Sequence, residues 1–520
     1  MRQDAFWTIA TGREVMKRTH LLVTFSAIVL GALALRLYML DARVFHHDES
    51  AVGSFVYTLF TKGTYTYDPV FHGPFMYYLT DLVFGVLGDT EFAARLMPAL
   101  FGTATIVLLY PLRSYTGDLG LLVASALFAI SPAMMYYSRF FREDSFVVFF
   151  SLFAVVCGIK YAENMQSRVR LAYSALAGAA IALSASAKEN TAITFAIFVL
   201  FLAIYMVSRR IRPGRAQVAD VLLFSVAGFA VFSLLFTGSV FDIQGSIEAL
   251  SRAFSHWWEM HSVRRLGGPW FMYLALLLLY ETPIFIFGMA GCAHFIRKRE
   301  PVMLFFAYWS VASLSAYSYL GEKAPWLMVH ILLPMTIVAG AYIGEVLPVI
   351  RFEKREIEAL FISVLILSSA FFAFSSIRLN YFNYANPAEP MIQAAQPLQN
   401  FKAIMEKVDN VSRSNGNRSM EIQVRDGEHW TQLLWYLRHY YYVNWGGDTS
   451  LPYAPVVITN STDADSISEY TGKYSRMDGA RMGWYWFGTR DLTPDFILWR
   501  RPDRLPDTAS TVLLYKDGGS

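Results

Sequence analysis

The sequence predicts a polytopic α-helical membrane domain followed by one soluble α/β domain, and three observations predict it. Hydrophobic residues make up 55% of the 520 and charged residues only 16%, against about a quarter charged in ordinary soluble domains. The apolar excess lies before about residue 378, after which the composition turns ordinary. Basic clusters recur between apolar stretches in the alternating pattern that membrane insertion imposes. The net charge of +3 is too small to make nucleic acid a partner. Cys157 and Cys292 both fall in apolar stretches, so no disulfide framework is implied.

Residues 1–19 are polar and basic and read as a cytoplasmic N-terminus. The run from His20 to Leu40 is almost wholly apolar and long enough to cross a bilayer. It is too long for a signal-peptide core and lacks a small-residue cleavage site, so it reads as a retained signal anchor. Further apolar stretches lie at roughly 93–112, 119–137, 146–162, 171–187, 191–208, 218–238, 270–296, 302–319, 326–349 and 357–377, giving about eleven spans within 20–378. The segment Pro74 to Leu87 is too short to cross and reads as an interfacial helix. With eleven spans, Arg209-Arg210-Ile211-Arg212-Pro213-Gly214-Arg215 and Arg297-Lys298-Arg299 fall inside; counting Pro74 to Leu87 as a span would put both outside. The loops 41–92, 138–145, 188–190, 239–269 and 320–325 are then outside, with everything after 378. This describes a multi-pass protein of the cytoplasmic (plasma) membrane, N-terminus inside and tail outside.

The tail begins with a Pro/Asn/Tyr-rich linker, 379–398, and continues as an α/β domain over 399–520. Phe401, Ile404, Met405, Val408 and Val411 form one stripe of an amphipathic helix. Glu421–Arg425, Pro455–Thr459 and Thr511–Tyr515 read as strands and Trp430–Tyr440 as a helix. Three N-x-S/T sequons, at Asn410, Asn417 and Asn460, lie here and agree with an outside location.

Five polar clusters from distant parts of the chain fall in the outer loops: His46-His47-Asp48-Glu49, His72-Gly73-Pro74, Arg139-Phe140-Phe141-Arg142-Glu143-Asp144, Lys188-Glu189-Asn190 and Gly321-Glu322-Lys323-Ala324-Pro325-Trp326. A carboxylate of Asp48 or Glu49, held at a membrane surface, suits a general base toward a hydroxyl. The competing reading is that both simply cap the start of the following helix. Arg139 and Arg142 suit bidentate contact with phosphate, and Glu143 and Asp144 can join a carboxylate cluster with Asp48; the alternative is a salt bridge internal to Arg142-Glu143-Asp144. Glu91 and Arg95, one helical turn apart, read as a mutual pair, with a substrate role as the second reading. Lys188 follows a small-residue helix and, with Lys323, suits an anionic head group, or else snorkels to lipid. His330 lies inside a span and faces the bundle, as a site residue or a packing histidine. The loop from Phe241 to Pro269, with His256-Trp257-Trp258 and Arg264-Arg265, reads as a lid or as an interfacial aromatic belt. The histidines match no zinc spacing, so no metal ligand set is assigned; a divalent cation near Asp48 is the one cofactor left open. No Gly-rich phosphate loop is present, which leaves a nucleotide donor without a home.

These residues, in this order, resemble the GT-C glycosyltransferases. Asp48-Glu49 follows span one, His72-Gly73-Pro74 lies downstream, Glu91-Phe92-Ala93-Ala94-Arg95-Leu96 opens span two, and Arg142-Glu143-Asp144 follows span three. Within that superfamily the pattern is similar to the protein O-mannosyltransferase and aminoarabinose-transferase group, which uses polyprenyl-phosphate sugars. Gly321-Glu322-Lys323-Ala324-Pro325-Trp326-Leu327 and the tail's Trp435-Tyr436-Leu437-Arg438 look like the family labelled flippase-activity-associated proteins. The resemblance covers about residues 20–445. It implies a hexosyltransferase in which Asp48 is the catalytic base, Asp144 the second-loop carboxylate and Glu91 the acidic residue before span two. It also implies donor phosphate or substrate binding by outer-loop residues, for which His47, His72, Arg95, Arg139, Arg142, Lys188, Glu189, Glu322, Lys323 and His330 are the candidates, and direct displacement with inversion. The usual His-Pro-Pro reads His72-Gly73-Pro74 here, and no Trp-Trp-Asp-Tyr-Gly motif of an oligosaccharyltransferase is present.

The expected partners are a polyprenyl-phosphate sugar donor, a glycan, lipid or protein acceptor, and membrane lipid. A non-catalytic transporter or flippase-associated protein handling lipid-linked sugars is the rival reading. Glu281, followed by Pro283 inside an apolar stretch, is the feature that favours it.

Overall fold

The computed structural model describes residues 17–262, 268–321, 323–350, 355–386, 388–392, 396–446, 452–471, 474–484, 491–503 and 507–516. The chain divides into two compact units. One comprises Met1–Tyr38, Pro98–Arg139 and Glu143–Ile377; the other comprises Met39–Met97, Phe140–Arg142 and Arg378–Ser520.

The chain is a multi-pass membrane protein. Among the described residues eight helical runs are long and apolar enough to cross a bilayer, or nine if the bent pair Met272–Tyr280 and Thr282–Lys298, which meet at 115°, is one span. That is fewer than the eleven stretches read from hydropathy, for two reasons. The stretches 93–112 and 119–137 merge into one apolar run, Glu91–Ile130. Within it the helix still breaks at Gly117, where φ is 76°. Pro301–Tyr319 is helical but is not counted, because four serines and three tyrosines dilute it; Ser310, Ser313 and Tyr317 are among its buried residues.

The first unit is held by close helix contact. A Cβ on Gly178 would lie 2.0 Å from the carbonyl oxygen of Phe224, and one on Gly340 would lie 2.6 Å from the backbone nitrogen of Ala124. Small residues let backbones approach where lipid offers no hydrophobic drive between helices. Arg36, a fully buried cation within the first span, donates from Nε to Ser138 Oγ at 2.9 Å. It also donates to the carbonyls of Ala129 at 3.2 Å and Phe128 at 3.4 Å. Those are end carbonyls of the helix Asp118–Ile130, so this charge acts as a C-cap. Glu281, at the break of the bent pair, accepts from Ser131 Oγ and from the Ala133 N–H, both at 2.8 Å, and so caps the start of Pro132–Ser138.

The second unit builds a six-stranded sheet on the tail. Its strands are β1 (Gln396–Pro397), β2 (Glu421–Val424), β3 (Tyr442–Trp445), β4 (Val456–Thr459), β5 (Ser475–Trp484) and β6 (Asp507–Tyr515), in the order β1-β5-β6-β4-β2-β3. β2 runs parallel to both β3 and β4, while β6 pairs antiparallel with β4 and β5. The amphipathic helix forms as Asn400–Ser414 and buries its five-residue stripe against Ile422, Val424, Val456, Ile458 and Leu513. Val44, far upstream in the chain, belongs to the same core. Helices His47–Lys62 and Phe75–Leu87 also belong to this unit, the latter where a short interfacial helix was expected.

Candidate functional site

The run His46-His47-Asp48-Glu49 is first a helix start. His46 is the N-cap: its ring accepts the Asp48 N–H at 3.2 Å while the Glu49 carboxylate accepts the His46 N–H at 2.9 Å, a capping box. Two of the four orphan donors of the first turn are thereby met, as the capping alternative requires. The two carboxylates nevertheless differ sharply in what surrounds them.

Glu49 has no exposed side-chain surface. It accepts both oxygens' worth of hydrogen bonds from Arg43 at 2.9 Å and from Arg95 at 2.8 Å, and a further one from the Phe141 N–H at 2.8 Å. Burial raises its proton affinity, but Arg43 and Arg95 outweigh that and hold it at about 2. Arg95 also donates to the carbonyls of Leu40 and Arg43, at 3.1 and 2.8 Å. Glu49 is thus a saturated strut joining three chain segments, not a base open to substrate. The Glu91–Arg95 pair expected from their spacing is replaced: Arg95 turns into the buried bidentate partner, and Glu91 instead accepts from the Tyr436 hydroxyl.

Asp48 keeps 35% of its side chain exposed. Arg142 donates to one of its oxygens, and His47 Nδ1 lies 3.2 Å from the other. Burial opposes its ionisation, but Arg142 and the adjacent histidines hold the carboxyl well below the usual range. Burial pushes the His46 imidazole down to about 4, keeping it neutral as the cap acceptor it must be. Asp48 is therefore an anionic, reachable carboxylate beside a guanidinium. The arginine bridge expected within Arg142-Glu143-Asp144 does not account for these contacts, because Arg142 engages Asp48. Arg43 and the Phe141 N–H were not singled out from sequence; nothing in their spacing marks them, since both are recruited by a carboxylate that only folding brings near.

Asp144 belongs to a second cluster, inside the helical unit. Lys188 Nζ donates to both its oxygens at 2.9 and 2.8 Å, and His330 Nε2 lies 3.1 Å from one of them. Asn190 reaches the same Nε2 at 2.8 Å, and Tyr317 stacks on the His330 ring. One ring nitrogen serves both neighbours when the Asn190 amide presents its oxygen there, an oxygen otherwise without a partner. Asp144, Lys188, Asn190 and His330 are all buried. Lys323 Nζ donates to the carbonyls of Tyr317 at 3.0 Å and Ser318 at 2.8 Å, capping the end of Pro301–Tyr319. Arg139 donates to the Tyr38 carbonyl at 2.7 Å. Glu189 lies in the turn before Thr191–Ser208, and Glu322 lies outside the described residues. His72 closes the short turn Pro69–Phe71 with φ at 66°, a conformation that is unfavourable for any residue with a Cβ.

A divalent cation at Asp48 does not fit these residues. Hard cations need several oxygen ligands, whereas Glu49 is occupied and Arg142 supplies the positive charge at Asp48. Among the described residues no three His, Cys, Asp or Glu side chains gather as a metal ligand set. An open cleft of about 370 Å³, lined by Asp41, Thr90, Glu91, Phe92 and Lys402, lies in the second unit.

Residues 71–237 match the family model described as dolichyl-phosphate-mannose-protein mannosyltransferase. No curated protein matches the sequence at a significant level. Among solved structures, ArnT from Cupriavidus metallidurans in the apo state superposes with a TM-score of 0.58 at 15% identity, over 88% of this chain and 96% of that one. The same protein bound to undecaprenyl phosphate gives 0.58 at 14% identity, over 95% and 98%. The Archaeoglobus fulgidus oligosaccharyltransferase in its apo form gives 0.55 at 14% identity, over 89% of this chain and 70% of that one. The chain thus has the fold of the GT-C glycosyltransferase superfamily, similar to mannosyltransferases and ArnT, as its motif order implied.

Proposed function

We propose that this protein is a membrane glycosyltransferase that moves a sugar from a polyprenyl-phosphate-linked donor to a hydroxyl acceptor on the outer face of the membrane. The observation that carries the reading is the difference in surroundings within Asp48-Glu49: Glu49 is buried and saturated, while Asp48 is partly exposed and paired with Arg142. The fold supports it, since ArnT of the same fold binds undecaprenyl phosphate.

Asp48 accepts the acceptor's hydroxyl proton as that oxygen bonds to the anomeric carbon. The bond from this carbon to the phosphate oxygen breaks, and its electron pair leaves on the polyprenyl phosphate. Attack from the face opposite the phosphate inverts the anomeric centre. Arg142, beside Asp48, takes up the phosphate charge as it develops, a role for which a planar guanidinium is suited. Glu49 and Arg95 position Asp48 and do not touch substrate. The motif order, the basic clusters and the sequons support a plasma-membrane location with the tail outside.

The bent span at Glu281 is the one observation favouring a non-catalytic, lipid-handling role. Against it, Glu281 caps a helix through one oxygen.

The test is product formation. The purified protein in lipid nanodiscs, supplied with radiolabelled polyprenyl-phosphate mannose and other hexoses and a membrane extract, is expected to move label into the acceptor fraction. Binding of the donor without transfer from any sugar would favour the lipid-handling role instead.

A further inference from the structure

We infer that the tail segment Trp435-Tyr436-Leu437-Arg438 is a clamp that positions the Asp48 turn, so that the soluble domain takes part in transfer; this rests on the reading of Asp48 above. Every contact lies within the second unit. The Tyr436 hydroxyl accepts the backbone N–H of Phe45 at 3.0 Å and donates to Glu91. Phe45 immediately precedes the N-cap His46, and its buried N–H would otherwise need another acceptor. The Phe45 ring meets Trp435 at 4.9 Å between centroids and lies 4.7 Å from the Arg95 guanidinium that holds Glu49. Trp435 is buried against Gly53 on the Asp48 helix, where an added Cβ would come within 2.8 Å of its ring.

The next turn fastens a second segment. Arg438 donates from Nε to the Asp89 carboxylate at 2.8 Å and from Nη2 to the Asp89 carbonyl at 2.6 Å, and its guanidinium lies 3.6 Å over the Trp435 ring. His439 Nε2 meets the same carboxylate at 2.7 Å. Asp89 stands just before Glu91 and Arg95 on their helix. One short stretch of the tail therefore fixes both the residue that enters the Asp48 helix and the helix start that supplies Arg95. The direction of the Asp48 helix, and with it the aim of Asp48, depends on both.

The experiment is hydrogen exchange and donor kinetics on the full chain in nanodiscs, comparing wild type with Tyr436→Phe. This change removes one hydroxyl and keeps the ring. Exchange over residues 43–49 should rise about fivefold, the size of one hydrogen bond's net contribution, while β2 and β4 stay unchanged. The kcat should fall with the KM for donor unchanged. Gly53→Ala should lower kcat by displacing Trp435, and Trp435→Phe on that background should restore part of it. Unchanged exchange over 43–49, a rise shared equally by β2 and β4, or strictly additive effects of Gly53→Ala and Trp435→Phe would overturn the clamp. If wild type transfers no sugar, the function reading fails alone, and the exchange result still decides the clamp.

Discussion

At the residue scale, Glu49 is a buried strut while its neighbour Asp48 stays partly exposed beside Arg142. Glu49→Gln keeps the shape but leaves Arg43 and Arg95 without their counter-charge. Breaking a buried pair by removing one partner costs about 3–5 kcal/mol, so thermal unfolding should come at a clearly lower temperature. Acid should expose the same group. Glu49 has a folded pKa of about 2, below its unfolded value of 4.5. Its contribution is therefore complete above pH 4.5 and is lost as pH falls toward 2. His46, depressed from 6.5 to about 4, acts earlier in the same direction. Stability measured by denaturant titration should begin to fall just below pH 6.5; a flat profile between 6.5 and 4 would show that His46 is not a buried neutral cap. The importance of Asp48-Glu49 was legible from two carboxylates placed after a span. Their separate roles were not, because these depend on Arg43, Arg95 and a backbone N–H from residue 141, which no local spacing announces.

At the element scale, the spans and the tail's main elements follow from periodicity. The stripe Phe401 to Val411 and the strands at 421–424 and 456–459 stand where hydrophobic pattern places them, while β6 begins at Asp507, four residues before the expected Thr511. β1, β3 and β5 escaped notice, β1 because it lies inside the stretch 379–398 that reads as a linker. β3 is an edge strand of alternating exposure, and β5 carries charges and glycines and is held by antiparallel pairing with β6 and, over two residues, with β1. The helix contacts were legible only as small residues, without their partners. Gly178→Leu should cost about 1–3 kcal/mol or more, since its side chain would meet the Phe224 backbone, which cannot swing aside. Gly158→Ala, where nothing lies within 4 Å, should leave stability unchanged or slightly raised. Equal melting of the two variants in detergent would contradict the close contact at Gly178.

At the scale of the whole molecule, charge predicts orientation. Glu406→Cys, on the exposed face of the tail helix, should react with a membrane-impermeant maleimide in intact cells, and Arg212→Cys should react only after permeabilisation. The two native cysteines, Cys157 and Cys292, are buried and give a low background. The reverse labelling pattern would place Asp48 on the wrong side for the proposed reaction. The GT-C fold was legible from the order of short motifs along the chain rather than from any one of them, because each motif is a few residues long and the fold is what spaces them. The most direct measurement is sugar transfer from a radiolabelled polyprenyl-phosphate hexose by wild type and by Asp48→Asn, with donor binding and melting temperature recorded on the same samples. Loss of a positioned base is expected to lower transfer by about 10²–10⁴-fold with donor binding and folding retained. Transfer by Asp48→Asn at the wild-type rate would contradict the account.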